Sequence, residues 1–194
     1  MPRIGSVVFV LFGLTQVLAA APDQDEVQAR MSAWAKALGV QCTHCHVAGA
    51  WTDASKPTHE FAQRMSRMVT ALNAGPLKDF EAINCWTCHR GQARPARVPR
   101  ALWEGIQSQH GADFATKPDV ALAMSVYSAS LGVDCSHCHE PGKWTTATKP
   151  AHSMVARMMP IFDEIPRHFD KSRMPTTQCY MCHQGQRIPE RRPR

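Results

Sequence analysis

Aromatic residues are scarce in this chain, at 7% of 194 residues, with only two Tyr. Domains of this length usually rely on aromatic side chains for much of their core, because each one buries a large apolar area. An ordinary apolar core would therefore be thin here. We expect little stable fold unless a bound group adds apolar surface for side chains to pack against.

A long unbroken apolar run is also missing. The most apolar stretch, residues 4–18, follows Arg3 and is interrupted by Gly5, Gly13 and Gln16. It is short for a membrane span. A positive start, an apolar middle and the small residues 19–21 predict a signal peptide over residues 1–21, with an uncleaved membrane anchor as the alternative. No Cys stands near the predicted cleavage site, so we expect no lipid there.

No segment shows the alternating pattern of a β-strand, whereas apolar residues recur at helical spacing. Two similar stripes each end just before a Gly: Val27, Met31, Trp34 and Leu38, then Val120, Met124, Tyr127 and Leu131. A second helix is predicted over residues 58–73. Its later counterpart begins near residue 151, and Pro160 and Pro166 should shorten or kink it.

Cysteine is absent outside four copies of one pattern, C-x-x-C-H, which together use all eight Cys. The copies are Cys42-Thr43-His44-Cys45-His46, Cys85-Trp86-Thr87-Cys88-His89, Cys135-Ser136-His137-Cys138-His139 and Cys179-Tyr180-Met181-Cys182-His183. In c-type haem attachment, both thiols add to the vinyl groups of one porphyrin and the adjacent His binds the iron. Zinc sites and disulfide scaffolds also use paired cysteines, but neither requires a His after every second Cys. We therefore predict four covalently bound haem c groups with these proximal iron ligands: His46, His89, His139 and His183.

The two halves of the chain are similar to each other. Cys42 aligns with Cys135, 93 positions later, and Trp51 aligns with Trp144. Such an internal repeat predicts a mainly α fold, a multihaem cytochrome c of two tandem dihaem helical repeats related by pseudo-twofold symmetry. The predicted division is a signal peptide over 1–21, a first repeat over 22–90, a linker over 91–114, a second repeat over 115–186 and a basic tail over 187–194.

Acidic residues are outnumbered, with 16 Asp and Glu against 22 Lys and Arg and a net charge of +6. A basic excess can indicate a nucleic-acid partner. Each haem adds about two propionate charges, however, so four haems would offset the excess. We expect no nucleic-acid binding. The basic clusters at 90–100 and 187–194 would instead form a docking patch, contact propionates or lie in a solvated linker and tail.

Methionines at repeated positions are the predicted sixth ligands of the irons. Met31 and Met124 each lie 11 residues before the first Cys of a motif, and Met65 and Met158 precede the second motifs by 20 and 21 residues. A thioether opposite a His gives His/Met coordination and raises the reduction potential. Methionine at helical spacing is usually core filler. Met68 and Met159 are the nearest substitutes.

Two histidines and two arginines also recur in both halves. His59 and His152 could make bis-His haems, but each follows Lys-Pro at a predicted helix start. A helix cap or a propionate hydrogen bond is therefore the favoured role for them. Arg64 and Arg157 are predicted to neutralise buried propionates.

With these motifs in place, the sequence resembles the tetrahaem cytochrome c subunit of photosynthetic reaction centres. The likeness lies in Leu-Gly-Val-x-Cys-x-His-Cys-His and in residues 64–73 and 84–91. It implies two pairs of helices related by a local twofold, with Met as sixth ligand of three irons, at Met31, Met65 and Met124. The fourth family iron takes a His after the second helix. This chain has no His between residues 73 and 88 but has Met158, so we expect His/Met ligation at all four irons.

The combined prediction is a periplasmic electron-transfer protein that is not an enzyme. It would pass electrons along four His/Met haems between a donor and an acceptor redox protein. One alternative is an electron-donating subunit of a photosynthetic reaction centre or another membrane complex. A second is a multihaem reductase or peroxidase, which needs an iron with an open position.

Overall fold

A computed structural model of the protein describes residues 23–110, 112, 116–169 and 178–192. Within these ranges the structure is helical and has no strand beyond two isolated bridges. The helices are α1 (Gln24–Leu38), α2 (Pro57–Ala74), α3 (Cys85–His89), α4 (Arg100–His110), α5 (Pro118–Leu131), α6 (Pro150–Met158), α7 (Ile161–Glu164) and α8 (Tyr180–His183). Short 3₁₀ turns cover Cys42–His44, Cys135–His137 and Ile165–His168. The predicted mainly α fold is confirmed, and the predicted signal peptide lies outside the described residues.

The helices before the first motif of each half end at glycines, as the sequence predicts. Gly39 after α1 and Gly132 after α5 have φ of 65° and 64°, in the left-handed region. A Cβ at Gly39 would stand 2.0 Å from the Gly91 oxygen, and one at Gly132 would stand 2.0 Å from the Gly185 oxygen. Both conformation and close approach therefore require glycine at these two positions.

The second helix differs between the halves. α2 is one continuous helix of 18 residues, beginning with Pro57 in the favoured first position. In the later half α6 ends at Met158, and α7 and a 3₁₀ turn follow. Pro160 and Pro166 lie at these breaks, since proline cannot donate to the helical ladder. The predicted shortening is confirmed.

The segment predicted as a linker, residues 91–114, contains α4, which its Arg- and Pro-rich composition does not predict. This helix packs along α5. An ion pair within its first turns, between Arg100 Nε and Glu104 Oε1 at 2.6 Å, adds modest stability. Part of the connection between the halves is therefore an ordered helix.

A small apolar core joins the halves. Its buried members are Leu72, Leu77, Ile165 and Phe169. The ring of Phe61 on α2 lies 5.3 Å from that of Phe169. Partly buried side chains surround this cluster: Met65, Met68, Phe80, Ile83, Met158 and Ile161. Burying each large side chain contributes about 1.5–3 kcal/mol. Within the described residues, no helix has the length and apolarity needed to cross a membrane.

Candidate haem sites

Each C-x-x-C-H motif forms a tight turn. The first motif of each half is a 3₁₀ turn, and the second lies on a short helix, α3 or α8. A turn of this kind places residues i, i+3 and i+4 next to one another, so both thiols and the imidazole share one side. The N–H of the motif His donates to the carbonyl of the first Cys at 3.0 Å in three motifs: His46 to Cys42, His139 to Cys135 and His183 to Cys179.

The histidines of the second motifs are oriented by backbone carbonyls. His89 Nδ1 lies 2.9 Å from the Gln92 oxygen, and His183 Nδ1 lies 3.0 Å from the Gln186 oxygen. Because a carbonyl oxygen only accepts, Nδ1 carries the proton and Nε2 is left to bind a metal. Burial lowers the pKa of both histidines, which favours the neutral, ligating form.

This orienting contact was missed in the sequence analysis, although a signal for it exists. The second motif of each half continues as H-x-G-Q: His89-Arg90-Gly91-Gln92 and His183-Gln184-Gly185-Gln186. The Gly supplies the positive φ, 80° at Gly91 and 77° at Gly185, that turns the chain back toward the ring. The recurrence of this short pattern could have predicted the turn.

The histidines of the first motifs have different surroundings. The Nδ1 atom of His46 is buried and lacks a hydrogen-bond partner. The rings of both histidines contact a Trp and a second His. The centroid distances are 6.3 Å from His46 to Trp51, 5.2 Å from His46 to His59, 6.1 Å from His139 to Trp144 and 5.2 Å from His139 to His152.

These distances bear on the roles predicted for His59 and His152. Two imidazoles that bind one iron from opposite faces have centroids about 6 Å apart, given a metal–nitrogen distance of about 2.0–2.1 Å. The observed 5.2 Å, with rings edge to face, leaves no room for an iron between them. Neither helix start has a side-chain cap hydrogen bond, and both rings turn toward the motif histidines. A propionate hydrogen bond to either ring stays a prediction.

A cavity of about 260 Å³ in the first half is lined by residues of α1, α2 and both motifs. Cys85 and His89 of the second motif line it together with Met65, the predicted sixth ligand of that haem. Its apolar lining includes Trp34, Leu38, Phe61, Met68 and Val69. The cavity therefore contains a thiol that can attach a haem, an imidazole and a thioether that can bind its iron, and apolar side chains that can pack against it.

A second cavity, of about 270 Å³, lies at the third motif. Cys135, Cys138 and His139 line it together with Met124, again the predicted partner. Met159 also lines this cavity, whereas Met158 packs against the apolar core. Neither Met31 nor Met158 is among the lining residues of the two cavities, and their ligation stays a prediction.

The arginines predicted to contact propionates are engaged with protein groups. Arg64 Nε donates to Glu60 Oε1 at 3.0 Å. Arg157 stacks 4.8 Å above the Phe80 ring and lies 3.9 Å from Asp79. The two corresponding arginines thus have different partners.

The second motifs of the two halves pack against each other through α3 and α8. Arg90 Nη2 donates to the Cys182 oxygen at 2.9 Å, and Gln184 Nε2 donates to the Cys88 oxygen at 3.3 Å. Corresponding residues therefore reach across the contact in both directions. We call this contact the junction, defined by Arg90, Gln184 and the two carbonyls they bind.

Cys88 and Cys182 face each other at the junction, with Cα atoms 4.1 Å apart, and their sulfurs form a disulfide. The other six cysteines are not in disulfides. A sulfur in a disulfide cannot also add to a vinyl group, so this bond and haem attachment by the same two cysteines exclude each other. These two thiols can accept haem only in the reduced state.

The side chains present fit haem c. Each cavity supplies thiols, an imidazole, a thioether and apolar walls, and the buried Nε atoms of Arg90 and Arg191 lack acceptors that haem propionates would provide. Both guanidinium groups add to the effect of burial in lowering the pKa of His183. No cation does so at His89. Among the described residues, no three His, Cys, Asp or Glu side chains converge to hold a metal ion by themselves.

The part of the chain that contains the first two motifs matches a known protein family. A family model described as "Photosynthetic reaction centre cytochrome C subunit" matches residues 15–134, more than half of the chain. The photosynthetic reaction center cytochrome c subunit of Rubrivivax gelatinosus is 28% identical over 107 residues, which cover 44% of this chain and 29% of that protein. The aligned part is thus less than a third of the relative's length. The chain belongs to the photosynthetic reaction centre cytochrome c subunit family.

Proposed function

We propose that this chain is a tetrahaem c-type cytochrome that transfers electrons on the periplasmic side of the membrane and is not an enzyme. Membership of a cytochrome c family supports haem as the cofactor. One observation supports the rest: the first cavity combines Cys85 and His89 of the second motif with Met65, and the second combines Cys135, Cys138 and His139 of the third motif with Met124. A bound haem supplies an iron that alternates between the ferric and ferrous states by one electron.

The protein's own residues would attach, ligate and shield these haems. Met65 and Met124 stand in the cavities of His89 and His139, and repetition in the sequence extends the assignment to Met31 with His46 and Met158 with His183. Thioether and imidazole ligands would leave no iron position open. The apolar walls would keep water from the iron, which favours the reduced state.

The packing of the motifs suggests a path for electrons. α1 contacts the 3₁₀ turn of the first motif and α3, α3 contacts α8, and α8 contacts α5, which leads to the third motif. This order places the second motifs of the halves in the middle and the first motifs at the two ends. Electrons would enter and leave at the outer haems and cross the junction between the inner ones.

Intact mass of the mature, exported protein tests the haem count. We expect the mass of the polypeptide plus four haems, with no disulfide between Cys88 and Cys182. A mass with fewer haems would contradict the tetrahaem assignment. A mass lower by two haems, with the disulfide retained, would show that the inner motifs stay empty.

Substitution of the cavity methionines tests the ligands. Met65→Ala and Met124→Ala should each remove the methionine-to-iron absorption of one haem and lower its potential. Met154→Ala is the control, because Met154 is 41% exposed and lines neither cavity. An unchanged spectrum in Met65→Ala would exclude that residue as a ligand.

A fixed subunit of a membrane complex is the second candidate, favoured by the name of the relative, which is a reaction-centre subunit. The partner would then be a reaction centre or another membrane-bound redox complex rather than freely diffusing donor and acceptor proteins. The amount of protein recovered with membranes at low and at high salt distinguishes a docked subunit from a freely diffusing carrier. Recovery of the protein with membranes at low salt and its release at high salt would favour an electrostatically docked subunit.

A reductase or peroxidase is the remaining alternative, and it requires an exchangeable iron position. Carbon monoxide added to the reduced native protein is the test. Because we propose four His/Met irons, we expect slow and substoichiometric binding. Rapid binding at one haem would favour an enzyme.

A further inference from the structure

The disulfide between Cys88 and Cys182 joins the two halves across the junction, over a sequence separation of 94 residues. It takes one thiol from each inner motif and leaves Cys85 and Cys179 as the remaining thiols of those motifs. Haem c attachment uses both thiols of a motif, one for each vinyl group. The proposed function gives this disulfide no role.

The two cysteines are brought together by contacts other than the disulfide. Arg90 Nη2 donates to the Cys182 oxygen, and Gln184 Nε2 donates to the Cys88 oxygen. Each hydrogen bond comes from the opposite half and holds the backbone of one cysteine beside the other. The Cα atoms lie 4.1 Å apart, below the limit of about 7 Å beyond which a disulfide requires backbone movement. The pairing of these sulfurs therefore follows from the packing of α3 against α8.

The turns of the outer motifs are held by lysines instead. Lys56 Nζ donates to the Thr43 oxygen, and Lys149 Nζ donates to the Ser136 oxygen. Each lysine stands immediately before the second helix of its half, α2 or α6. The start of that helix therefore fixes the turn without using a sulfur, and the cysteines of both outer motifs are not in disulfides.

The third motif can receive a haem as it stands. Its two thiols, Cys135 and Cys138, line one cavity together with His139 and Met124. No disulfide has to break before both sulfurs add to the vinyl groups of a porphyrin. In each inner motif the second sulfur must first be released. The structure therefore distinguishes motifs that can accept haem at once from motifs that must be reduced first.

We propose that Cys88 and Cys182 form this disulfide in the exported chain before haem attachment, so that the outer motifs receive haem first and the inner motifs only after a dithiol protein has reduced the bond. The inference rests on the proposed function, since it concerns the attachment of its four haems. Until the inner haems add their apolar surface, the disulfide holds the halves together by restricting the unfolded chain.

The reduction is a thiol–disulfide exchange that transfers two electrons. A thiolate of the dithiol protein attacks one sulfur of the pair and forms a mixed disulfide, and the second thiol of that protein then resolves it. The dithiol protein ends as a disulfide, and Cys88 and Cys182 each gain one electron and one proton. Each inner thiol then adds across a vinyl C=C, with sulfur on one carbon and hydrogen on the other, and no further electron is transferred.

Alkylation of the exported, haem-free full chain tests the disulfide. The chain is purified from a host that cannot attach haem, treated with iodoacetamide in the absence of a reductant, and measured by intact mass and peptide mapping. We expect six alkylated cysteines and one pair of peptides joined through Cys88 and Cys182. Eight alkylated cysteines, or disulfides within single motifs, would overturn the proposal.

Two variants that each remove one thiol of the second motif test the order of attachment. Cys88→Ser breaks the disulfide and leaves Cys182 available, whereas Cys85→Ser, the matched control, retains the disulfide. Both are exported by a host that attaches haem but lacks an exported dithiol reductase, and peptide mapping locates the haems. Without added dithiothreitol, the fourth motif should carry haem in Cys88→Ser and lack it in Cys85→Ser. With dithiothreitol, it should carry haem in both.

The wild-type chain from the same host should lose both inner haems without dithiothreitol and carry all four with it. Four haems in both conditions, or haem on the fourth motif of Cys85→Ser without dithiothreitol, would contradict the order of attachment. Failure of the proposed function gives a different result, fewer than four haems even with dithiothreitol. If neither variant folds, the wild-type haem count and the alkylation of the haem-free chain still decide the matter.

Discussion

The two halves of this protein carry the same motifs but surround them differently. In the first half the helix between the motifs, α2, is continuous, and the inner motif begins with a reciprocal cap between Asn84 and Thr87. In the second half the corresponding helix is broken at Pro160, and α8 lacks a side-chain cap. Repetition of a motif therefore preserves the attachment chemistry, because that chemistry depends on five local residues. Repetition does not preserve the packing around the motif, which depends on residues far away in the sequence.

The largest loss of stability is expected at the two glycine contacts, where the halves are most alike. Gly39→Ala would place a Cβ 2.0 Å from the Gly91 oxygen and strain a φ of 65°, so α1 and the inner motif would have to separate. We expect a loss of more than about 4 kcal/mol of unfolding free energy, measured by thermal denaturation of the holoprotein. Gly132→Ala should lower the unfolding free energy by as much. If it does not, the halves are not equivalent at this contact.

Gly105→Ala is the control for both. Gly105 lies within α4, and an added Cβ there meets nothing within 4 Å. Alanine should therefore stabilise the helix by about 0.5–1 kcal/mol. A similar destabilisation at all three positions would show that the glycine contacts are unimportant.

The next largest loss of stability is expected in the apolar core that joins the halves. Leu72 on α2 is 2% exposed and packs against Ile165 and Phe169 of the later half. Leu72→Ala should cost about 2–5 kcal/mol through lost burial and a cavity. Leu102→Ala, at a position 47% exposed, should cost much less in the same denaturation experiment. Equal losses would mean that the halves do not share a core.

Substitutions at the starts of the inner motifs should have a smaller effect on the unfolding free energy, and this effect should differ between the halves. The Asn84 side chain accepts from the Thr87 N–H at 3.3 Å and donates to the Arg191 oxygen at 2.8 Å. Asn84→Ala should therefore cost about 0.5–2 kcal/mol. Gln178, the corresponding residue of the second half, has a buried side-chain oxygen without a partner, so Gln178→Ala should cost less. The reverse order in urea denaturation would contradict this comparison.

The smallest expected effect on stability depends on pH and concerns Glu164, at the end of α7 in the second half. A hydrogen bond from His168, with the nearby Arg167, holds the pKa of Glu164 below its ordinary value of 4.5. A carboxylate with a lowered pKa stabilises the fold above about pH 4.5 and loses this contribution as the pH falls. Glu164→Gln should therefore lower the melting temperature slightly at pH 7 and leave it unchanged at pH 3.

Glu60→Gln serves as the comparison from the first half. Glu60 pairs with Arg64 on the exposed face of α2, where its side chain is 61% exposed, so its removal should have little effect. An unchanged melting temperature for Glu164→Gln at pH 7 would show that the ion pairs of the 3₁₀ turn contribute nothing measurable.

The predictions that succeeded from sequence depend on neighbours along the chain. Helical stripes, a terminal Gly and breaking prolines gave α1, α2, α5 and the interrupted later helix, because capping and hydrogen bonding are local. The ordered helix α4 was missed, since its contact with α5 does not follow from its composition. The orientation of the His59 and His152 rings could not be predicted for a related reason: a Lys-Pro step marks a helix start but does not determine which way a nearby ring turns.

The sequence by itself determined the motifs, their duplication and the helices that carry them, because thiol spacing and helical periodicity are set within a few residues. Only the tertiary structure decided that the inner motifs meet and that Arg90 and Gln184 reach across that contact. The physical reason is distance along the chain. Residues more than 90 positions apart are brought together by packing, and no local pattern encodes which charge will lie beside which histidine.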